Sequence, residues 1–80
     1  MNLGQLDEAL KSYSKAISAA NKNPEIVPFI LIKEANIYRE QGNFKAEANA
    51  YKEILDEYPS YVASTRVDIK KYYERALASE

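Results

Sequence analysis

Apolar residues recur at helical spacing along the first quarter of the chain. Between residues 6 and 20, successive apolar positions are separated by three, one, three, three, one and three residues. This spacing places their side chains on one face of an α-helix, and the alternation typical of a strand does not produce it. The residues on this face are Leu6, Ala9, Leu10, Tyr13, Ala16, Ile17 and Ala20. We therefore predict a first helix over residues 5–21.

The polar segment 21–24 ends this pattern, and two prolines limit where the next helix can begin. Proline fits the first turn of a helix but not its interior. A helix that began at Pro24, capped by Asn23, would bring Pro28 against the carbonyl of residue 24. The main start is therefore expected near Val27 or Pro28, with room for a short turn before it.

The remaining chain reads as two further helices. Gly42 provides a common carboxyl-terminal end for the second helix, and Pro59 ends the third, so that Ser60 becomes the expected cap of a fourth helix over residues 60–78. The third apolar face contains Phe44, Ala48, Tyr51, Ile54, Leu55 and Tyr58, and the fourth contains Val62, Ile69, Tyr72, Tyr73, Ala76 and Leu77. The predicted fold is all-α, with four helices joined by short turns.

A short unit occurs twice in altered form. The stretch GQLDEALKSYSKAI begins at Gly4, and GNFKAEANAYKEIL begins at Gly42. Each copy has an apolar residue two places after the glycine, a tyrosine nine places after it and an apolar residue thirteen places after it. Internal repeats of this kind indicate stacked helix pairs, which commonly serve as binding scaffolds.

These residues resemble the tetratricopeptide repeat (TPR), whose second helix reads roughly Gly-x-x-x-Glu-Ala-x-x-x-Tyr-x-x-Ala-Leu and is followed by a proline. The first copy matches at Gly4, Leu6, Glu8, Ala9, Tyr13, Ala16 and Ile17. The second copy matches at Ala35, Tyr38, Gly42, Phe44, Tyr51, Leu55 and Pro59. Glu47 and Ile54 depart from the pattern, because the motif prefers small residues there. The glycines are 38 residues apart (42 minus 4), against about 34 in the family, and the extra residues are assigned to the loop after Asn21.

The resemblance implies a single TPR-like domain over residues 1–80. It would comprise the second helix of an incomplete first repeat (5–21), a full second repeat (27–59) and a capping helix (60–78). Gly4 would belong to the turn within the first pair, so that pair lacks its first helix. The chain is then expected to be the carboxyl-terminal piece of a longer array, or to cover its open face by self-association through Leu6, Leu10, Tyr13 and Ile17.

In the resembling family, peptides lie along a concave surface lined by the first helix of each pair. Mapped onto this chain, that surface would comprise Ile32, Asn36 and Arg39, joined by Arg66, Lys70 and Tyr73 from the last helix. Asn36 occupies the place where chaperone-binding members hold an asparagine that grips a peptide backbone, whereas Ile32 replaces their nearby lysine. Arg66 and Lys70 are suited to an acidic or carboxyl-terminal peptide segment.

Composition removes several classes of chemistry. The chain has no cysteine and no histidine, which excludes thiolate nucleophiles, imidazole triads and Cys/His metal sites. The carboxylate pairs at residues 7–8 and 56–57 lie on polar helix faces, where neighbouring side chains diverge by about 100°. No metal, cofactor or catalytic group is predicted, and the chain is not expected to be an enzyme.

Charge and length narrow the range of partners. The net charge of −1 gives no general attraction to nucleic acid, although the segment 70–73 mixes lysine with tyrosine. No apolar run is long enough to span a bilayer, and residues 1–4 lack the basic and apolar regions of a signal peptide. The segment 50–60 is similar to repeats of bacterial envelope assembly proteins, which implies a bacterial source and leaves cytoplasm or envelope open. The predicted function is a scaffold that binds a protein or peptide segment; the alternative is a structural homodimer within a larger assembly.

Overall fold

A computed structural model describes residues 3–80. Residues 1 and 2 belong to the predicted domain and to the segment compared with signal peptides, and they lie outside the described part. Within residues 3–80 the chain forms helices and no strand. The helices are α1 (Leu3–Ala20), α2 (Ile26–Glu40), α3 (Phe44–Glu57), α4 (Pro59–Ser64) and α5 (Ile69–Ser79). The all-α prediction is therefore confirmed.

The first helix begins earlier than predicted and includes Gly4, which the resemblance had placed in a turn. It ends at Ala20, one residue before the predicted end, because Asn21 and Lys22 adopt left-handed φ angles of 50° and 60°. The side-chain Oδ1 of Asn23 then accepts hydrogen bonds from the backbone N–H of Glu25 (2.9 Å) and Ile26 (3.1 Å). These bonds satisfy free N–H groups at the start of α2.

The second helix starts at Ile26, within one residue of the predicted start, and is preceded by the expected short turn. Pro28 is its third residue and is buried. At that position the missing N–H costs no hydrogen bond within the helix.

The turn from α2 to α3 is a Schellman motif, centred on Gly42 with a φ angle of 75°. The N–H of Gly42 donates to the carbonyl of Arg39 (3.0 Å), and the N–H of Asn43 donates to the carbonyl of Tyr38 (2.8 Å). The Asn43 side chain in turn accepts from the N–H of Ala46 at 3.2 Å and caps α3. Gly42 thus ends the second helix as the sequence predicted.

The structure has two helices where one was predicted over residues 60–78. Pro59 is the first residue of α4 and Tyr58 is its cap, so Ser60 does not have the predicted capping position. The backbone becomes extended at Thr65, and the Asp68 side chain accepts from the N–H of Lys71 (3.1 Å) to begin α5. The last helix is therefore a separate element with its own cap.

The helices pack in chain order, with α1 against α2, α2 against α3, and α3 against α5, while the short α4 packs on α3. The resulting body measures 34 × 32 × 17 Å, so it is about half as thick as it is wide. Its buried core consists of Val27, Leu31, Ala35, Ala50, Tyr51, Ile54, Tyr58 and Ile69. The core thus lies between α2, α3 and α5. The first helix adds the partly buried Ile17 and Ala20 at its carboxyl-terminal end, and its Leu6 is buried outside this cluster.

Candidate functional site

A groove of about 350 Å³ lies between α2 and α5. It is lined by Ile32, Asn36, Tyr51, Val67, Tyr72 and Arg75. We call it the α2–α5 groove. Arg75 is the only charged residue in this lining, and the other lining residues are apolar, aromatic or an amide.

Helical spacing brings the lining residues to the groove. Ile32 and Asn36 are four residues apart on α2, and Tyr72 and Arg75 are three apart on α5, so each pair lies on one helix face. The buried ring of Tyr51 on α3 forms part of the groove lining. It stacks on the ring of Tyr72, with centroids 6.0 Å apart and planes inclined by 26°. The position of α5 relative to α3 is thus fixed by an aromatic contact at the groove.

A buried carboxylate joins the three helices beside the groove. Glu47 of α3 is 0% exposed. Its Oε1 accepts a hydrogen bond from Nη1 of Arg39 at 3.3 Å, and its Oε2 lies 3.5 Å from Nη2 of Arg75 without forming a hydrogen bond. We call this cluster of Arg39, Glu47 and Arg75 the Glu47 cluster. Two cations surround one anion, so the cluster carries an excess positive charge.

Each arginine of the cluster also packs on an aromatic ring. The guanidinium of Arg75 lies 4.8 Å from the ring centre of Tyr72, and that of Arg39 lies 5.4 Å from the ring centre of Phe44. The arginine side chains are 37% and 44% exposed for Arg39 and Arg75 respectively. Rings and carboxylate together hold both guanidinium groups in place while leaving them accessible to solvent.

Tyr51 is a further titratable group that lines the groove. Burial raises the pKa of its phenol, and the nearby charge of Glu47 raises it further, while Arg75 and Arg39 lower it. The ring therefore remains a neutral phenol near neutral pH. It contributes stacking area to the groove and no charge.

The structure brings together only part of the predicted partner-binding set. Ile32 and Asn36 line the α2–α5 groove. Arg39 instead pairs with Glu47, and Tyr73 is half-buried against the core. Arg66, which was placed on the last helix, lies in the turn before α5.

Lys70 on α5 and Arg66 in the preceding turn are both exposed. Neither residue belongs to the groove lining. Tyr61 of α4, like Tyr73, packs partly against the core. The positive charge in the groove comes from Arg75 of α5.

Sequence reasoning missed the role of Glu47, although a signal was present. Residues 47, 51, 54 and 58 are separated by four, three and four positions, so Glu47 continues the apolar stripe of Tyr51, Ile54 and Tyr58. A glutamate in the phase of a buried stripe predicts a charged partner nearby, because an unpaired buried carboxylate is costly. Arg39 and Arg75 are that partner pair.

The predicted self-association face is partly occupied within the molecule. Leu6 is buried, whereas Leu10, Tyr13 and Ile17 are half-buried. The face belongs to α1, which packs against α2 and is tied to its end by a hydrogen bond from Nε2 of Gln41 to Oδ1 of Asp7 (3.1 Å). Three of the four residues therefore retain surface for another molecule.

The carboxylate pairs noted in the sequence are exposed on helix surfaces. Within residues 3–80, no group of acidic side chains converges in a way that could hold a metal ion. No helix in the same part of the chain has the length and apolar character needed to cross a bilayer.

Comparisons with protein-family models, with curated proteins and with solved structures give no match to this chain. The resemblance to the TPR family therefore stays a prediction from the sequence.

Proposed function

We propose that this chain is a protein-interaction module of the TPR kind, which binds a segment of a partner polypeptide in the α2–α5 groove and performs no chemistry itself. The observation that carries the proposal is the composition of the groove. Ile32, Val67 and Tyr72 offer apolar contacts, Asn36 offers an amide, and Arg75 offers a cation. Clefts of this mixture are suited to extended peptide segments.

The side chain of Asn36 can both donate a hydrogen bond to a peptide backbone and accept one from it. It is exposed and borders the groove. Its amide group donates and accepts, as does each peptide unit of an extended chain. Apolar side chains of the bound segment would then contact Ile32 and Val67 on either side.

The guanidinium of Arg75 is available to bind an anionic group on the bound segment. Within residues 3–80 its guanidinium forms no hydrogen bond, because the Nη2 contact with Glu47 is only an ion-pair contact at 3.5 Å. The stacking on Tyr72 nevertheless restricts its orientation. Restricting a side chain before binding reduces the entropy lost when the complex forms.

The groove is tested by peptide selection followed by affinity measurement. Peptides selected from a random display library would be titrated against the wild-type chain and a Val67→Asp variant, with binding followed by fluorescence anisotropy. We expect Val67→Asp to weaken binding at least about tenfold, equivalent to about 1.4 kcal/mol. Leu77→Asp is the matched control, since Leu77 is a comparably exposed apolar residue that does not line the groove.

An Arg66→Glu, Lys70→Glu double variant extends the same titration to the predicted basic residues outside the lining. Weakening of acidic peptides by this variant would assign both residues to the rim of the site. Equal losses for Val67→Asp and Leu77→Asp would remove the α2–α5 groove as the binding surface.

Self-association is a second candidate, and the exposed apolar residues of the first two helices favour it. Ile26 and Phe29 of α2 are 48% and 54% exposed, and Leu10, Tyr13 and Ile17 of α1 are half-buried. Pairing of two copies would remove such surface from water. Leu6 would add little to a dimer because it is already buried.

Sedimentation at a series of concentrations tests this candidate. A dimer would raise the apparent mass as concentration rises, and Tyr13→Glu would return the chain to a monomer. A mass that stays at 9.1 kDa at the highest concentration would eliminate it.

A further inference from the structure

A second groove lies on the other face of the α2–α3 hairpin. It has a volume of about 210 Å³ and is lined by Leu31, Glu34, Tyr38, Asn49, Ala50 and Glu53. Successive residues of a helix are rotated by about 100°. The lining residues Leu31, Glu34 and Tyr38 therefore lie more than about 90° around α2 from Ile32 and Asn36. We call it the acidic groove.

Glu34 is the unusual residue of the acidic groove. It is 8% exposed, yet among residues 3–80 its carboxylate has no hydrogen bond and no ion pair. The carboxylate oxygens of Glu34 keep some contact with solvent, because Glu47 Oε2 is the only side-chain nitrogen or oxygen atom of residues 3–80 that is both buried and without a hydrogen-bond partner. The Glu34 carboxylate is therefore partly desolvated, and an opposite charge beside it would stabilise it. Among the described residues, no basic side chain lies within ion-pair distance of this group.

The surroundings of Glu34 add negative charge. Glu53 faces it from α3, and burial together with the charge of Glu53 raises the pKa of Glu34. Glu53 also borders an adjoining cavity of about 420 Å³ that contains Glu57, Tyr58 and Lys22. Burial, Glu53 and Glu57 together raise the pKa of Tyr58, while Lys22 brings a positive charge to the same cavity.

We propose that the acidic groove is a docking site for one arginine side chain of a partner polypeptide. The guanidinium would lie between the carboxylates of Glu34 and Glu53 and supply the missing counter-charge. Its planar donors are suited to two carboxylates and to the amide oxygen of Asn49. This site is independent of the α2–α5 groove and of the function assigned to it.

The size of the acidic groove fits one side chain. A cavity of about 150 Å³ in another protein accommodates benzene, so 210 Å³ is sufficient for one long side chain and too small for a helix. The aliphatic part of the arginine would contact Leu31 and the ring of Tyr38, as arginine stems commonly do on apolar surface.

The experiment uses small probes and NMR detection on the 80-residue chain. N-acetyl-arginine methylamide would be titrated while the carboxylate of Glu34 and the side-chain amide of Asn49 are observed. The neutral control is N-acetyl-citrulline methylamide, which has nearly the same shape without the charge. We expect saturable shifts at both residues with the arginine probe and at least about tenfold weaker binding of the citrulline probe.

Variants locate the interaction. Glu34→Gln preserves the shape of the side chain and removes its charge, so it should weaken binding of the arginine probe about tenfold without unfolding the chain. Glu40→Gln is the matched control, since Glu40 is an exposed glutamate on the same helix. Equal effects of the two variants, or equal binding of the arginine and citrulline probes, would overturn the proposal.

Two further probes distinguish the source of the cation. Spermidine that saturates the site where the arginine probe does not would identify a free polyamine as the ligand and reject a partner side chain. Tighter binding of N-acetyl-lysine methylamide than of the arginine probe would reject the guanidinium. Unchanged peptide binding in Val67→Asp, together with retained binding of the arginine probe, would refute the proposed function alone.

Discussion

Two glutamates show how differently the same side chain behaves when its surroundings change. Glu47 is fully buried between two arginines, and Glu34 is nearly buried without any. The first connects helices, because Arg39 and Arg75 belong to α2 and α5 while Glu47 belongs to α3. The second has a free carboxylate at the surface of a cavity. We expect opposite consequences from neutralising them.

Neutralising Glu34 should stabilise the chain. Because burial and Glu53 raise the pKa of Glu34 above its ordinary value of 4.5, the folded state favours the protonated form. The stability that the wild type derives from this proton is present below the ordinary pKa and is lost as pH rises through the folded-state pKa. Glu34→Gln should therefore gain about 1 kcal/mol over the wild type at neutral pH and little at acidic pH.

Urea unfolding at several pH values measures this difference. Glu53 on α3 and Tyr38 on α2 are the titratable groups that share the cavity with Glu34, and both remain in the variant. A Glu34→Gln variant that is less stable than the wild type at neutral pH would show that the carboxylate has a stabilising partner.

The Glu47 cluster should respond asymmetrically to substitution. Glu47→Gln leaves two arginines that are already partly exposed and can be solvated, so the expected loss is about 1 kcal/mol. An Arg39→Met, Arg75→Met double variant leaves a buried carboxylate without a counter-charge, for which a loss of about 3–5 kcal/mol is expected.

The order of these two losses is measurable by urea unfolding followed by circular dichroism. Arg66→Met is the control, because Arg66 is an exposed arginine outside the cluster. A Glu47→Gln variant as unstable as the double arginine variant would contradict the view that the carboxylate is the costly member of the cluster.

At the scale of elements, local signals determine where helices begin and end. Asn23, Asn43 and Asp68 each accept a hydrogen bond from the first turn of the helix that follows them. Gly42 ends α2 with a left-handed backbone. Each of these ends is therefore set by one or two residues, and substitutions there should change stability without affecting the core.

Gly42 and Gly4 should respond oppositely to alanine. A Cβ at Gly42 would meet no atom within 4 Å, so its cost arises only from the positive φ angle of 75°. We expect Gly42→Ala to destabilise the chain by about 1 kcal/mol, and Gly4→Ala, inside α1, to stabilise it by up to about 1 kcal/mol. Thermal unfolding of both variants tests the contrast, and an equal sign for the two would refute it.

Sequence periodicity predicted three of the elements because their apolar stripes and turn residues agree. The break inside residues 60–78 was missed since no proline or glycine marks it. It depends instead on the extended backbone at Thr65 and the cap at Asp68. The candidate site was predictable only in part. Ile32 and Asn36 were placed at a binding surface by the resemblance to the TPR family, whereas Arg75 and Glu47 meet through the packing of α5 on α3.

At the scale of the whole molecule, packing is uneven along the chain. The α3 helix contacts α2, α4 and α5, whereas α1 packs chiefly on α2. Regions with fewer buried contacts open at lower free energy than the regions they adjoin. The structure therefore has a stable centre and a less stable first helix.

Hydrogen exchange should resolve this difference. We expect amide protection to be highest in α3, at Ala50, Tyr51 and Ile54, and lower by at least about tenfold in α1, at Tyr13 and Ile17. A dimer formed through α1 would raise protection there as concentration rises. Uniform protection of both helices in a monomer would contradict the expected order.

The body is only 17 Å thick, and its two grooves open on opposite faces of the same helix hairpin. Two polypeptide segments bound in them at once would be separated by roughly the 17 Å thickness of the body. If both proposed sites are occupied, this thin body would set the distance and the relative orientation of the two bound partners without contact between them.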